Sequence, residues 1–377
     1  LDELRFDFTR MPQPSAMLGA SQAAKLLADA IAAKQRILII GDYDVDGATS
    51  CTLVKESLEL MGADSVNYLV PDRFKLGYGL SPEVVKLAKQ YQPDWLITVD
   101  NGIASIAGVD AAKAAGMGVI VTDHHLPGDT LPAADVIVNP NQPNCTFPTK
   151  SLAGVGVAFY VMLALRQELR ERDWFATQAI TEPNLAQMLD LVALGTVADL
   201  VPLDYLNRLL VSHGLKRINQ GQTRPGIKTL LHLARGETEQ VVAQDLGFAI
   251  APRLNAAGRL DDMTLGIECL LSKTSAGALP LAERLNDWNL ERRTIQQTME
   301  QEASRIAHSQ SINESNHSVC LFSEKWHEGV VGLVASKIKD FYFRPTVVFA
   351  PADEKGLIKG SARSIRGIHI RDVLDAV

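Results

Sequence analysis

Four short runs rich in β-branched residues, RILIIG at 36–41, VNYLVP at 66–71, DWLITVD at 94–100 and GVIVTD at 118–123, alternate with amphipathic stretches. Helical patterns fill the gaps at 48–60, 82–89 and 105–115. This alternation leaves few architectures open, and predicts an α/β fold with a mostly parallel sheet flanked by helices. In such sheets ligands bind beyond the carboxyl ends of the strands, where loops converge. Two of the four runs end on aspartate, Asp100 and Asp123, and Asp42 directly follows RILIIG.

From Gly154 to about Leu271 the pattern turns mainly helical and extends the first domain. Residues 279–309 lack Gly and Pro after Pro280 and are rich in Glu, Gln, Arg and Leu, which predicts one long helix. Beyond it, SVCLFS, GVVGLVASKIKDF, PTVVFA and GLIKGSARS predict a second, smaller α/β domain. The expected division is an N-terminal segment over 1–35, a first domain over 36–275, a connecting helix over 276–310 and a second domain over 311–377. With 377 residues, the chain is long enough for two cores.

Composition narrows the function classes. An apolar fraction of 46 % with 21 % charged residues is globular, and no apolar run approaches the roughly 20 residues of a membrane span. The opening LDELRFDFTR carries charges throughout and no apolar core, so no secretory signal is expected and the cytoplasm is the expected location. The four cysteines are scattered without a C-x-x-C pair, which indicates neither a zinc knuckle nor a disulfide framework. A net charge of −7 disfavours nucleic acid as a partner. Against it, Lys359, Arg363, Arg366, His369 and Arg371 form a local basic stretch without an acid, whose alternative reading is a solvated loop.

The chemistry concentrates in four places. GDYDVDGAT at 41–49 sets Asp42, Asp44 and Asp46 at alternate positions, where an extended segment points them one way. The opening is that of a calcium-binding hand, but Leu53 stands where the twelfth-position acid is required. Asp100 in TVDNG ends the third run, and taken alone reads equally as a helix cap. VTDHH at 121–125 offers His124 as a metal ligand and His125 to touch a substrate oxygen. In LGTVADLVPL, Asp199 is the only charge in an apolar stretch, and burying it requires a partner. One imidazole among several carboxylates suits two divalent cations, Mn²⁺ or Mg²⁺.

GDYDVDG, VDNG, TDHH and GTVADLVPL, in this order, resemble the DHH phosphoesterase superfamily, named for a motif matching Asp123, His124 and His125. RLNAAGRLDD at 253–262, WHEGVVG at 326–332 and GSARS at 360–364 are similar to its bacterial single-strand-specific exonucleases, from about Arg36 to the end. The resemblance implies that Asp44, Asp46, Asp100, His124 and Asp199 bind metal, with Asp100 bridging two ions, and that His125 contacts the scissile phosphate. Related manganese pyrophosphatases carry a metal-binding histidine where this chain has Ile40, which leaves two readings: Asp42 substitutes through a water, as a catalytic residue, or the site fills only when nucleic acid adds its phosphate oxygens.

On the same grounds Arg73, Ser361 and Arg363 hold a terminal 5′ phosphate, while Arg253, Asn255, Arg259 and His327 complete the substrate contacts. In RLNAAGRL the two small residues and Gly258 are expected to let a backbone come close to a strand of nucleic acid, the alternative reading being a packing turn at a helix end. Tyr78, in GYGL, has two readings, a base-stacking residue and a turn tyrosine; the turn reading is favoured and leaves it outside the site. The implied function is 5′→3′ exonuclease action on single-stranded DNA in repair and recombination, releasing 5′-mononucleotides. Single-strand-binding protein and a helicase are implied partners of the full-length protein, and the second, DHHA1-type domain is expected to be incomplete here. The rivals are another phosphoesterase of the superfamily, acting on oligonucleotides, cyclic dinucleotides or pyrophosphate, and a non-catalytic replication scaffold.

Overall fold

The computed structural model describes residues 7–236, 240–310, 316–352 and 356–376. The chain divides into two compact units, Leu1–Asn286 and Asp287–Val377.

In the first unit the four apolar runs become β1 (Ile37–Ile40), β2 (Val66–Leu69), β3 (Trp95–Val99) and β4 (Gly118–Thr122). A short fifth strand, β5 (Val136–Val138), was not foreseen from the sequence. All five pair in parallel in the order β2-β1-β3-β4-β5. Every residue of β1 is buried, as a central strand covered on both faces requires. Leu38, Ile40, Leu96, Val119 and Val121 line one face and pack with Val84, Val85, Val109 and Ala112 from the helices Pro82–Ala88 and Ile106–Ala114. On the other side lie the helices Ala20–Ala32, Val45–Leu60 and Gly154–Glu171, the last of which packs against both of the others.

The strand order places the site. The chain leaves β1 for β2 on one side and returns to β3 on the other, so the strand order reverses beside β1. Such a reversal opens a crevice at the carboxyl edge. The strands β1, β3 and β4, whose ends lead into Asp42, Asp100 and Asp123, are neighbours there.

The expected long helix runs from Ser275 to Ser309. Within the second unit its Met299, Ala303 and Ala307 join Val319, Leu321, Trp326, Val334, Ile338 and Val348 in a separate core. The sheet there contains β6 (Val319–Phe322), β7 (Thr346–Pro351) and β8 (Ile358–Arg363), with β6 parallel and β8 antiparallel to β7. The helix Val331–Tyr342 packs against β7 and β8. Among the described residues, no helix is long and apolar enough to cross a membrane.

Candidate active site

The loop after β1 turns at once into a helix. Asp44 is extended and caps the helix Val45–Leu60, its Oδ1 accepting from the Gly47 amide at 3.0 Å. A Cβ on Gly47 would lie 2.6 Å from the Asp42 carbonyl oxygen, so only glycine fits this turn. Asp46, in the first turn of that helix, is 1 % exposed and accepts from the Gly154 and Val155 amides at 2.6 and 2.9 Å. Those amides open the helix Gly154–Glu171, so a helix N-terminus holds this carboxylate in place.

At the end of β3, Asp100 is 2 % exposed and has φ +61°, a left-handed conformation that aspartate tolerates better than most residues. Gly154 makes room for it, since a Cβ there would lie 2.7 Å from Asp100 Oδ1. After β4, buried Asp123 accepts from the Ile103, His124 and His125 amides and lies 2.7 Å from His125 Nδ1. Asp199 follows the helix Leu189–Ala198 and reaches the same place from far along the chain.

His124 is the meeting point. Its Nε2 lies 3.1 Å from Asp100 Oδ1, 3.5 Å from Asp199 Oδ2 and 3.8 Å from Asp46 Oδ2. Despite this closeness, Nε2 and Asp100 Oδ1 are both buried without a hydrogen-bond partner. The ring's hydrogen bond to the Leu152 backbone therefore falls on the other nitrogen, leaving the Nε2 lone pair aimed at the carboxylates. Three overlapping groups bring ligand atoms within 4.8 Å of one another: Asp46, His124 and Asp199; Asp42, Asp44 and Asp100; and Asp100, His124 and His125. The set contains no thiol and two imidazoles among five carboxylates, which fits hard divalent cations.

The electrostatics agree with that fit. Burial, and then repulsion from neighbouring carboxylates, raises Asp42, Asp46 and Asp100 well above the usual carboxylate range. Burial and Asp44 likewise push Asp199 up to about 7. Burial, then the charge of His125, lowers His124 to about 4, so its ring is neutral and ready to ligate. His125 behaves oppositely. Burial would lower it, but the hydrogen bond and charge of Asp123 prevail and raise it to about 9. A phosphate would meet a cationic imidazole there. Buried alone, Asp123 would be raised, yet its bonds to His125 and Ile103 bring it below the usual range.

The remaining candidates fall into three places. Arg73 lies over the Tyr43 ring at 4.3 Å, beside the Asp42–Asp44 loop. Asn255 Oδ1 accepts from the Val45 amide at 3.2 Å, whereas Arg253 donates to Asn286 Oδ1 and the Ala249 carbonyl. Arg259 lies on the same helix, Ala251–Leu260, one residue past Gly258. The expectation for Gly258 needs correction: a Cβ there would lie 1.8 Å from the Tyr43 carbonyl oxygen. The backbone that approaches it is the chain's own loop carrying Asp42 and Asp44, because the helix is packed directly on that loop. In the second unit, Arg363 donates to Ser361 Oγ at 2.9 Å, and a Cβ on Gly332 would lie about equally close to both side chains. They therefore face the first turn of the helix Val331–Tyr342, while His327 Nδ1 accepts from the Gly329 amide just before it.

The sequence reading missed Tyr78. Its hydroxyl lies 3.0 Å from the Asp100 carbonyl oxygen and 3.2 Å from His125 Nδ1. The only sequence signal was its position between Gly77 and Gly79, both at φ +75°.

The model of the DHH family N-terminal domain matches residues 36–196, and that of the DHHA1 domain matches residues 315–377. The chain is 53 % identical to the single-stranded-DNA-specific exonuclease RecJ of Dickeya dadantii, over 95 % of this chain and 62 % of that protein. With the RecJ of Escherichia coli the identity is 51 %, at the same coverage. The chain thus spans about three-fifths of the length of these relatives. A crystal structure of exonuclease RecJ bound to manganese superposes with a TM-score of 0.80 at 34 % identity, covering 97 % of this chain and 86 % of that one. RecJ from Thermus thermophilus in complex with Mn²⁺ gives 0.78 at 32 % identity, covering 95 % and 50 %. Matching family domains, identity along nearly the whole chain and a shared fold together make this chain a member of the RecJ family, within the DHH family.

Proposed function

We propose that the chain is a 5′→3′ exonuclease specific for single-stranded DNA, hydrolysing phosphodiester bonds at a two-cation centre. The observation that carries this reading is the pair of buried, unpartnered ligand atoms, His124 Nε2 and Asp100 Oδ1, where separate carboxylate groups converge. Asp46, His124 and Asp199 would hold one Mn²⁺ or Mg²⁺, Asp42 and Asp44 would face the other, and Asp100 lies within reach of both. Two bound cations would supply an activated water and neutralise charge on the attacking and leaving oxygens.

The chain's own groups provide the rest. With His125 Nδ1 bonded to Asp123, Nε2 is left to donate to a non-bridging phosphate oxygen. Arg73 in the first unit, and Ser361 with Arg363 in the second, offer donors of the kind that grip a terminal phosphate. Arg259 and His327 are proposed as further substrate contacts. Asn255 would act by supporting the Asp44 loop, and Arg253 by securing the helix that carries it. A role in DNA repair and recombination, a cytoplasmic location, and association of the longer protein with single-strand-binding protein and a helicase belong to the same proposal.

A strand labelled at its 5′ end should release labelled mononucleotide at the earliest times. A 3′-labelled strand should instead shorten gradually. Duplex ends and inorganic pyrophosphate should resist. Early mononucleotide release from the 3′ label would reverse the polarity, and pyrophosphate hydrolysis would favour the pyrophosphatase reading.

For Arg363→Ala we expect KM to rise about tenfold or more, the cost of a charge-assisted hydrogen bond made to substrate and transition state alike, with kcat nearly kept. The preference for a 5′-phosphorylated over a 5′-hydroxyl strand should vanish with it. Steady-state kinetics on the two strands would show an unchanged preference if Arg363 belongs only to a solvated basic stretch.

A further inference from the structure

Asp100 is the ligand that most needs external support, because its backbone holds φ +61° while its side chain must stay aimed into a buried cluster. Part of that support comes from Tyr78, which stands outside the three ligand groups. Tyr78 Oη lies 3.0 Å from the Asp100 carbonyl oxygen, which can only accept, so the tyrosine donates there. The same oxygen lies 3.2 Å from His125 Nδ1. That nitrogen is 2.7 Å from the Asp123 carboxylate and so carries the proton, which makes the Tyr78 oxygen a second, weaker acceptor. One hydroxyl thereby ties the backbone beneath Asp100 to the ring of His125.

The rest of Tyr78 is built to hold that position. Gly77 and Gly79 both take φ +75°, and Leu80 anchors the end of the turn by donating from its amide to Ser105 Oγ at 3.1 Å. Its ring stands edge-on to His125 at 5.7 Å and to Tyr43 at 6.2 Å. Tyr43 separates Asp42 from Asp44, so the ring spans both sides of the cluster.

We infer that Tyr78 is a positioning residue of this centre, its hydroxyl fixing the backbone of Asp100 and the ring of His125 relative to each other. The inference deepens the exonuclease reading and rests on it for the substrate.

The test uses Tyr78→Phe, which keeps the ring and removes the hydroxyl, and Tyr78→Leu, which removes both. Calorimetric titration of the metal-free proteins with MnCl₂ should show affinity about fivefold weaker in both variants, the effect of one lost neutral hydrogen bond. On single-stranded DNA, kcat should fall about tenfold in both, as expected when reacting groups lose alignment, with KM unchanged within about twofold. Wild-type Mn²⁺ affinity and kcat in Tyr78→Phe would overturn the inference. So would a defect confined to Tyr78→Leu, which would assign the role to the ring, or one confined to KM, which would make Tyr78 a substrate contact. If the wild-type chain fails to cut single-stranded DNA, the exonuclease reading fails, and the Mn²⁺ titration still decides the role of Tyr78.

Discussion

Asp100→Asn is expected to reduce hydrolysis of single-stranded DNA by about three orders of magnitude or more, while the protein stays folded. Asp100 contributes to two of the three ligand groups that meet in the cluster, so neutralising it weakens both proposed cation positions at once. Bound cations supply several kcal/mol of transition-state stabilisation, and each ~1.4 kcal/mol is a factor of ten in rate. Asparagine suits the test better than alanine, because it accepts the left-handed conformation at φ +61° and preserves the shape beside Gly154. The metal-free variant should be at least as stable as the wild type, since it loses a buried charge that Asp46 and Asp44 repel. Added Mn²⁺ should raise its melting temperature much less than that of the wild type. Activity above a tenth of wild type, with undiminished stabilisation by Mn²⁺, would remove Asp100 from the metal centre.

The second large effect concerns stability against pH. Asp42, Asp46 and Asp100 have folded-state values well above those of an unfolded chain, and Asp199 is raised to about 7. Between the unfolded carboxylate value of ~3.9 and these raised values, the native state binds more protons than the unfolded one, so stability falls as pH rises. The contribution of Asp199 is complete at acidic pH and lost as pH rises through about 7, and those of Asp42, Asp46 and Asp100 are lost as pH rises through their own raised values. His124, lowered to about 4, opposes this by one proton between about 4 and the ordinary histidine value of 6.5. His125, raised to about 9, adds to the fall from about 6.5 upward. The carboxylates outnumber the opposing imidazole, so the melting temperature of the metal-free protein should drop between about pH 4.5 and 8.

The raised Asp199 alone corresponds to about 4 kcal/mol, or on the order of 10 °C for a unit of this size. Saturating Mn²⁺ should flatten or reverse the slope, because cations bind the ionised carboxylates and stabilise the state that holds them. Thermal melts with chelator and with MnCl₂ across this range would decide it. A metal-free melting temperature that rises steadily to pH 8 would mean that the acids do not share one buried cluster.

The sequence by itself determined the strands that lead into aspartate, because apolar β-branched runs and the acids that follow them are local features. It likewise determined the long helix, through an unbroken series of good helix formers, and the candidates Asp44, Asp46, Asp100 and His124, whose residue types admit few other roles in company. Only the tertiary structure decided that β1, β3 and β4 are neighbours, since strand order depends on pairing between distant segments. β5 has three residues, too few to show a pattern, and holds through its pairing with β4. Asp199 reaches His124 through helix packing that no local rule describes. RLNAAGRL showed that something approaches Gly258 closely, but not that it is Tyr43 of the same chain. Tyr78 looked like a turn residue because it is one; its hydroxyl gains its place only when the loop after β2 folds over the ends of β3 and β4. Local chemistry thus identifies the groups able to bind a cation, and long-range packing sets the distances and burial that leave them without any other partner.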